Sequence, residues 1–290
     1  MKPAPFEYVA PRSVEETVRL LGEHGADAKI LAGGQSLVPL MNMRLARPSV
    51  IVDINRLPAL DYITPGPGVL RVGALCRQRT AETSPVVAAQ CPLLRDALRL
   101  MGHEQIRNRG TIGGSIAHAD PSAELTAVLA ALGGDVSVQG PGGTRVIAAS
   151  DLFVTYLTTS LEAHELLTEV RFPALPPGAG WSWMEIARRH GDFALVGVGV
   201  VLAPRGGVIS EARIALTGVG PAPVRAAEAE RLLAGRAPSE GLWDEAGTVV
   251  RASLEPEGDI HASPEYRKHV AGVLTSRALR EALTRVGETH

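Results

Sequence analysis

Cysteine is scarce: Cys76 and Cys91 are the only two in 290 residues. Neither a disulfide framework nor a CxxC pair can be built from them, so a reducing, cytoplasmic setting is expected, with both thiols buried. An iron–sulfur cluster takes four thiolates, so this chain alone houses none. Lysine occurs only at Lys2, Lys29 and Lys268, and the formal net charge is −2, which leaves no electrostatic footprint for nucleic acid. Long apolar runs are missing as well. The longest, Ala194 to Ala203, is about half the ~20 residues that span a bilayer, and Met1 to Phe6 lacks the apolar core of a signal peptide. There is no G-x-S-x-G, no H-E-x-x-H and no pair of catalytic carboxylates. His103 and His118 lie without second ligands at helical spacing, so no metal site is expected. The chemistry is therefore expected of a bound cofactor, with protein supplying binding and orientation.

What the chain does have is glycine, 31 residues of it, and two pairs stand in similar settings. Ala32-Gly33-Gly34-Gln35-Ser36 and Thr111-Ile112-Gly113-Gly114-Ser115 each follow an extended or loop segment and lead toward a helix. Bare backbone can press its N–H groups against an oxyanion, and a helix N-terminus adds a favourable dipole. Two such loops, face to face, could hold the two phosphates of a dinucleotide.

The first sixty residues alternate strand and helix. Phe6 to Val9 reads as a strand, Ser13 with Glu16 as a capping box, Lys29 to Ala32 as extended, and Ser36 as the N-cap of a helix through Pro39. Ser49 to Ile54 is an apolar run suited to a strand buried on both faces, which completes a parallel βαβαβ unit. Further on, Val69 to Ala74 reads as a strand, Pro92 opens a helix, and Asp120 with Pro121 caps a helix from Ser122 to Leu132. Asp135 to Gln139 and Thr144 to Ala148 flank a hairpin turn, and Leu166 to Phe172 is another strand. Pro173 to Gly180 is the most linker-like stretch, which sets domains at 1–176 (parts 1–60 and 61–176) and 177–290. Beyond it, Trp181 to Ala187, Phe193 to Leu202 and Val208 to Leu216 read as a three-stranded antiparallel meander. Helices near Arg225 to Ala234, Leu242 to Ser253 and Tyr266 to Val286 close the chain. The fold class is α+β.

The string from Ala32 through Ser36 to Met41, the string Gly102 to Pro121, and the segment Ala187-Arg188-Arg189-His190-Gly191-Asp192-Phe193-Ala194 occur in this order. Together they resemble the FAD-binding medium subunit of the molybdenum hydroxylases, the xanthine dehydrogenase and aerobic carbon monoxide dehydrogenase group, over nearly the whole chain. The resemblance implies a two-part FAD-binding domain followed by a C-terminal flavoprotein domain of antiparallel sheet and helix bundle. It also implies a role in electron transfer, probed by partners on other chains: a small subunit with [2Fe–2S] clusters, a large subunit with the molybdopterin cofactor, and a dimer of such heterotrimers. An outside acceptor (NAD, a quinone or oxygen) would take the electrons. Carried over by position, the pyrophosphate loops fall on Ala32, Gly33, Gly34, Gln35 and Ser36, with Leu31 and Leu37 beside them as further cofactor-binding residues, and on Thr111, Ile112, Gly113, Gly114 and Ser115. Many relatives place Asn or Asp where this chain has Ser115. The acidic contact to the ribitol or ribose region falls on Glu124, an apolar contact near the flavin on Leu166, and the aromatic cover of the isoalloxazine, Tyr in some relatives, on Phe193. A flavin-contacting lysine of other members falls near Met184 or Glu185. Arg107 and Arg109 are open to phosphate contact, partner contact or a solvated surface. A self-contained flavin reductase of the same broad fold is the alternative, and would need its own substrate pocket and proton donor.

Overall fold

The computed structural model describes residues 1–288. Its first part is a small parallel sheet in which Glu7–Val9 and Ala28–Leu31 flank the central strand Val50–Asp53. Val50, Ile51 and Val52 are buried, as expected of a strand covered on both faces. Helix Val14–His24 starts at Ser13, whose Oγ accepts from the Glu16 N–H at 3.1 Å. The Glu16 carboxylate turns back to the Arg12 N–H at 2.8 Å, so the expected box closes one residue earlier than its usual form. Thr17, Val18 and Leu21 are the buried residues of this helix.

The second part is a five-stranded sheet, antiparallel at every pairing. Its order is Ile63–Gly66, Val69–Gly73, Leu166–Pro173, Asp135–Gly140, Gly143–Ala148. Helices of six to nine residues gather around it: Gln78–Thr83, Pro85–Gln90, Pro92–Leu100, Glu104–Arg109, Ile112–His118 and Glu124–Leu132. Two sequence expectations are corrected here. The Gly113-Gly114 pair is the first turn of helix Ile112–His118 rather than a loop. The next helix begins at Glu124 rather than Ser122, because Asp120 spends its carboxylate on the Ser122 N–H (2.8 Å) in a turn upstream of the helix. Every residue of Glu124–Leu132 is buried, an all-apolar helix apart from its first and third positions.

The C-terminal sheet holds four strands rather than three: Gly180–Ala187, Ala194–Arg205, Val208–Thr217 and the two-residue Val224–Arg225. Val224–Arg225 is too short for alternation to announce it, and the helix expected from Arg225 begins instead at Ala227. Helices Ala227–Leu233, Glu240–Ser253 and Pro264–Thr284 pack on one face, centred on buried Trp243. The other face is not independent of the preceding sheet. Trp181, Trp183, Val201, Ala203 and Ala215 join the same apolar cluster as Leu94, Leu98, Val128 and Phe172. Helix Glu124–Leu132 lies across this seam. Thr217 Oγ1 donates to the carbonyls of Pro121 (2.7 Å) and Ala123 (3.0 Å) at its start. At its end, where the last carbonyls lack helical partners, Arg213 and Arg225 donate to Leu132 (2.8 Å) and Ala130 (2.9 Å).

Candidate cofactor-binding site

The first glycine turn leaves strand Ala28–Leu31 and enters helix Leu37–Asn42. Gly34 sits at φ +73°, a conformation open to glycine and costly for a branched residue. The N–H groups of Gly33, Gly34, Gln35 and Ser36 donate to no other group among the described residues, whereas the Val38 N–H already donates to the Gly34 carbonyl. Ser36 occupies the N-cap position, but its hydroxyl makes no cap bond and is left available. The Gln35 side chain folds back onto the Gly33 carbonyl at 3.1 Å.

The second glycine turn is built differently. Thr111 caps its helix by accepting the Gly114 N–H at 3.1 Å. Ile112 and Gly113 donate to the Cys76 and Ala74 carbonyls, and Ser115 to that of Thr111. All four amides from 112 to 115 are therefore engaged, and the expectation that this turn offers backbone donors is corrected. It presents instead the bare Cα of Gly114, the half-buried Ser115 with its unpartnered hydroxyl, and the positive end of a short helix dipole.

The two turns meet. A Cβ on Gly33 would stand 2.5 Å from the Arg109 carbonyl oxygen and 2.8 Å from the Gly110 Cα. A Cβ on Gly114 would stand 2.6 Å from Thr111 Oγ1 and 3.7 Å from the Ala32 Cβ. At Gly33 only a glycine permits so close an approach of main chain to main chain, and at Gly114 only a glycine leaves room for the Thr111 cap. Four uncommitted amides on one wall and a dipole-bearing turn without side chains on the other fit a diphosphate, each charge-assisted bond contributing about 1.5–3 kcal/mol.

The remaining carried-over positions divide. Glu124 is 3% exposed at the start of its helix, and burial with the nearby Glu185 carboxylate pushes its pKa up to about 8. It enters neutral solution as a carboxylic acid able to donate a hydrogen bond. Glu185, raised by burial, accepts from Trp183 Nε1 at 2.9 Å. Neither Met184 nor Glu185, near which the resemblance places a lysine, is basic. Phe193 is 63% exposed on the connection between Gly180–Ala187 and Ala194–Arg205. That connection leans on the residues just ahead of the second turn, with the His190 and His103 rings 6.2 Å apart. An exposed aromatic here suits a ring that stacks on a flavin. Leu166 does not fit a contact role. It is 1% exposed in the cluster with Val18, Leu21 and Val52, so its side chain packs the first part against the second and offers a ligand no surface.

Arg107 is buried, bonded to Glu82 at 2.8 Å and to the Met101 and Gly102 carbonyls, and is thereby a structural cation. Cys76 and Cys91 are wholly buried, and burial pushes each thiol up to about 12. Two residues near the turns escaped sequence reasoning, Asn55 and Arg77. Neither belongs to a glycine motif, and only the folded chain brings them together.

A sequence family described as the FAD binding domain in molybdopterin dehydrogenase matches residues 4–175, and the CO dehydrogenase flavoprotein C-terminal domain matches 181–282. The chain belongs to the FAD-binding subunits of the molybdopterin dehydrogenases. It is 43% identical over 290 residues to the 6-hydroxypseudooxynicotine dehydrogenase complex subunit alpha of Paenarthrobacter nicotinovorans, covering 100% of this chain and 98% of that one. It is 39% identical to the carbon monoxide dehydrogenase medium chain of Hydrogenophaga pseudoflava, over 98% and 99% of the two chains. A solved carbon monoxide dehydrogenase chain from that organism superposes with a TM-score of 0.96 at 41% identity, covering 99% of this chain and 100% of that one. These flavoprotein subunits share the α+β architecture described above, and membership settles the class of enzyme: this is an FAD-dependent oxidoreductase subunit of the molybdenum hydroxylase type.

Proposed function

We propose that the chain receives electrons on FAD from the [2Fe–2S] clusters of a small partner subunit, which are fed in turn by a molybdopterin-bearing large subunit. It then passes them to an external acceptor, NAD, a quinone or oxygen, from a cytoplasmic dimer of heterotrimers. The observation that carries the reading is the meeting of the two glycine turns, with Gly33 against Arg109–Gly110 and Gly114 against Ala32. Flavin supplies the redox chemistry when bound, accepting electrons singly and releasing them singly or in pairs. The chain's own residues bind and orient it. The amides of 33–36 with the Ser36 and Ser115 hydroxyls hold the diphosphate, Leu31 and Leu37 shape the wall, the buried Thr111 and Ile112 fix the second turn from behind, Glu124 offers a proton-bearing donor to the ribityl region, and Phe193 covers the ring. The domains at 1–176 and 177–290 then share the cofactor, the first binding its phosphates and the second its ring. That the named relatives are chains and subunits of larger dehydrogenases supports this over a self-contained reductase.

The test is flavin content. Purified wild-type chain is expected to carry FAD, read from its absorption spectrum, while Gly34→Val and Gly114→Val lose most of it and keep a folded circular-dichroism spectrum. Valine at 34 must adopt a positive φ, and valine at 114 displaces the Thr111 cap. Wild-type flavin occupancy in both variants would sink the assignment.

A further inference from the structure

Arg77 stands at the N-cap of helix Gln78–Thr83, half-buried behind both glycine turns. Its Nη1 donates to the Arg109 carbonyl at 2.6 Å, directly ahead of the second turn. Its Nη2 donates to Asn55 Oδ1 at 2.7 Å. Asn55 Nδ2 donates in turn to the Ala32 carbonyl at 2.8 Å, within the first turn, and to Asp53 Oδ1 at 2.6 Å. Asp53 is itself fixed by the Tyr8 hydroxyl (2.5 Å) and the Asn55 N–H (2.9 Å). One guanidinium and one amide therefore connect Ala32 to Arg109 through three hydrogen bonds in series, across the gap where main chain approaches main chain.

Charge adds a second, independent feature. Arg77 makes no ion pair within 4.0 Å among the described residues, and the exposed Arg109 side chain makes no hydrogen bond or ion pair there. Burial first, and the nearby Arg109 charge second, pull the Arg77 pKa below its ordinary value, opposed by Asp61, Asp53 and Cys76. Two like charges held beside a pair of glycine turns, neither of them ion-paired among the described residues, form a cationic flank that a doubly charged diphosphate would complement.

We propose that Arg77, held by Asn55, is the positioning residue that locks the two glycine turns at diphosphate spacing, and that with Arg109 it supplies positive charge beside the diphosphate. The inference rests on FAD being the ligand of these turns. It replaces the absent lysines as the answer to how two negative charges are met in a chain that offers backbone donors on one wall only.

The experiment is calorimetric titration of the flavin-stripped full chain with FAD, ADP and riboflavin, at low and high salt. Arg77→Gln should weaken FAD and ADP by about tenfold or more, because the turns lose the bridge that sets their spacing and a nearby positive charge, while leaving riboflavin unchanged. Arg77→Lys, which keeps the charge, should recover part of that loss. Arg109→Gln touches no partner in the fold. It should weaken FAD and ADP at low salt, an effect that fades at high salt because the charge is exposed. Equal FAD affinity in wild type and Arg77→Gln overturns the proposal, as does an equal loss for riboflavin, which would mark a purely structural role. Should Arg77→Gln fail to fold, Arg109→Gln decides, since undiminished ADP affinity at low salt also overturns it. A wild-type chain that binds no FAD would instead sink the underlying cofactor assignment.

Discussion

Glu124 shows how one residue's surroundings set its chemistry. In an unfolded chain its carboxyl titrates near 4.5, and in the fold near 8, because burial and the facing Glu185 disfavour its charge. The fold thus prefers the protonated form. Stability from this group is fully present below about pH 4.5, declines as pH rises, and is gone once pH passes about 8. Glu124→Gln keeps the shape and neutral state, so it should flatten this decline. At pH 8.5 the variant should melt about 2 °C or more above wild type, while near pH 5 the two should nearly coincide. Scanning calorimetry across that range checks it, and parallel pH profiles would refute the buried-acid account. Position alone foretold an acid in the first turn of a helix. Its neutrality was invisible in the sequence, because Glu185 lies 61 positions away and reaches it only through the packing of the C-terminal sheet on helix Glu124–Leu132.

At the level of elements, periodicity and punctuation carried far. The parallel βαβ pattern, the hairpin Asp135–Gly140 to Gly143–Ala148, and the long strands after Gly180 all follow from alternation, apolar runs and glycine turns that are plain in the sequence. Helices of six residues were harder. Gln78–Thr83 and Glu104–Arg109 hold less than two turns each, so no apolar stripe can repeat in them. What stabilises Glu104–Arg109 is tertiary: Arg107 reaches Glu82 on the neighbouring helix, with side chains 8% and 9% exposed. Arg107→Met would leave the Glu82 carboxylate to Arg79 alone, and removing one partner of a buried pair costs about 3 kcal/mol. The melting temperature should fall by about 6 °C or more, with FAD content of the folded fraction unchanged. Loss of FAD without loss of stability would instead place Arg107 at the ligand. The glycine turns were legible as a pair but not in their division of labour. Whether an amide is spent depends on carbonyls such as those of Ala74 and Cys76, which no local pattern reveals.

Over the whole molecule, the proline-rich break at 173–180 reads as a boundary, yet the packing runs through it. Trp181 donates to Asp96 at 3.0 Å, Arg285 just past the last helix reaches the same carboxylate at 2.8 Å, and one apolar cluster draws residues from both sides. Helices Pro92–Leu100 and Glu124–Leu132 would lose the C-terminal strands that pack on them if the chain ended at 176. The fragment 1–176 is therefore expected to melt without a cooperative transition and to bind the dye ANS, whereas the full chain should unfold in a single step. A fragment that melts as sharply and as high as the intact chain would show two separable folding units.

The unequal walls of the crevice bear on how the protein is loaded. Since the amides from 112 to 115 are already satisfied by the chain itself, the main chain on that side stands complete before any guest arrives, and only the amides from 33 to 36 wait for one. A seat finished on one side and expectant on the other can be emptied and refilled while the surrounding architecture stays standing, which makes cofactor exchange a local event rather than an act of refolding.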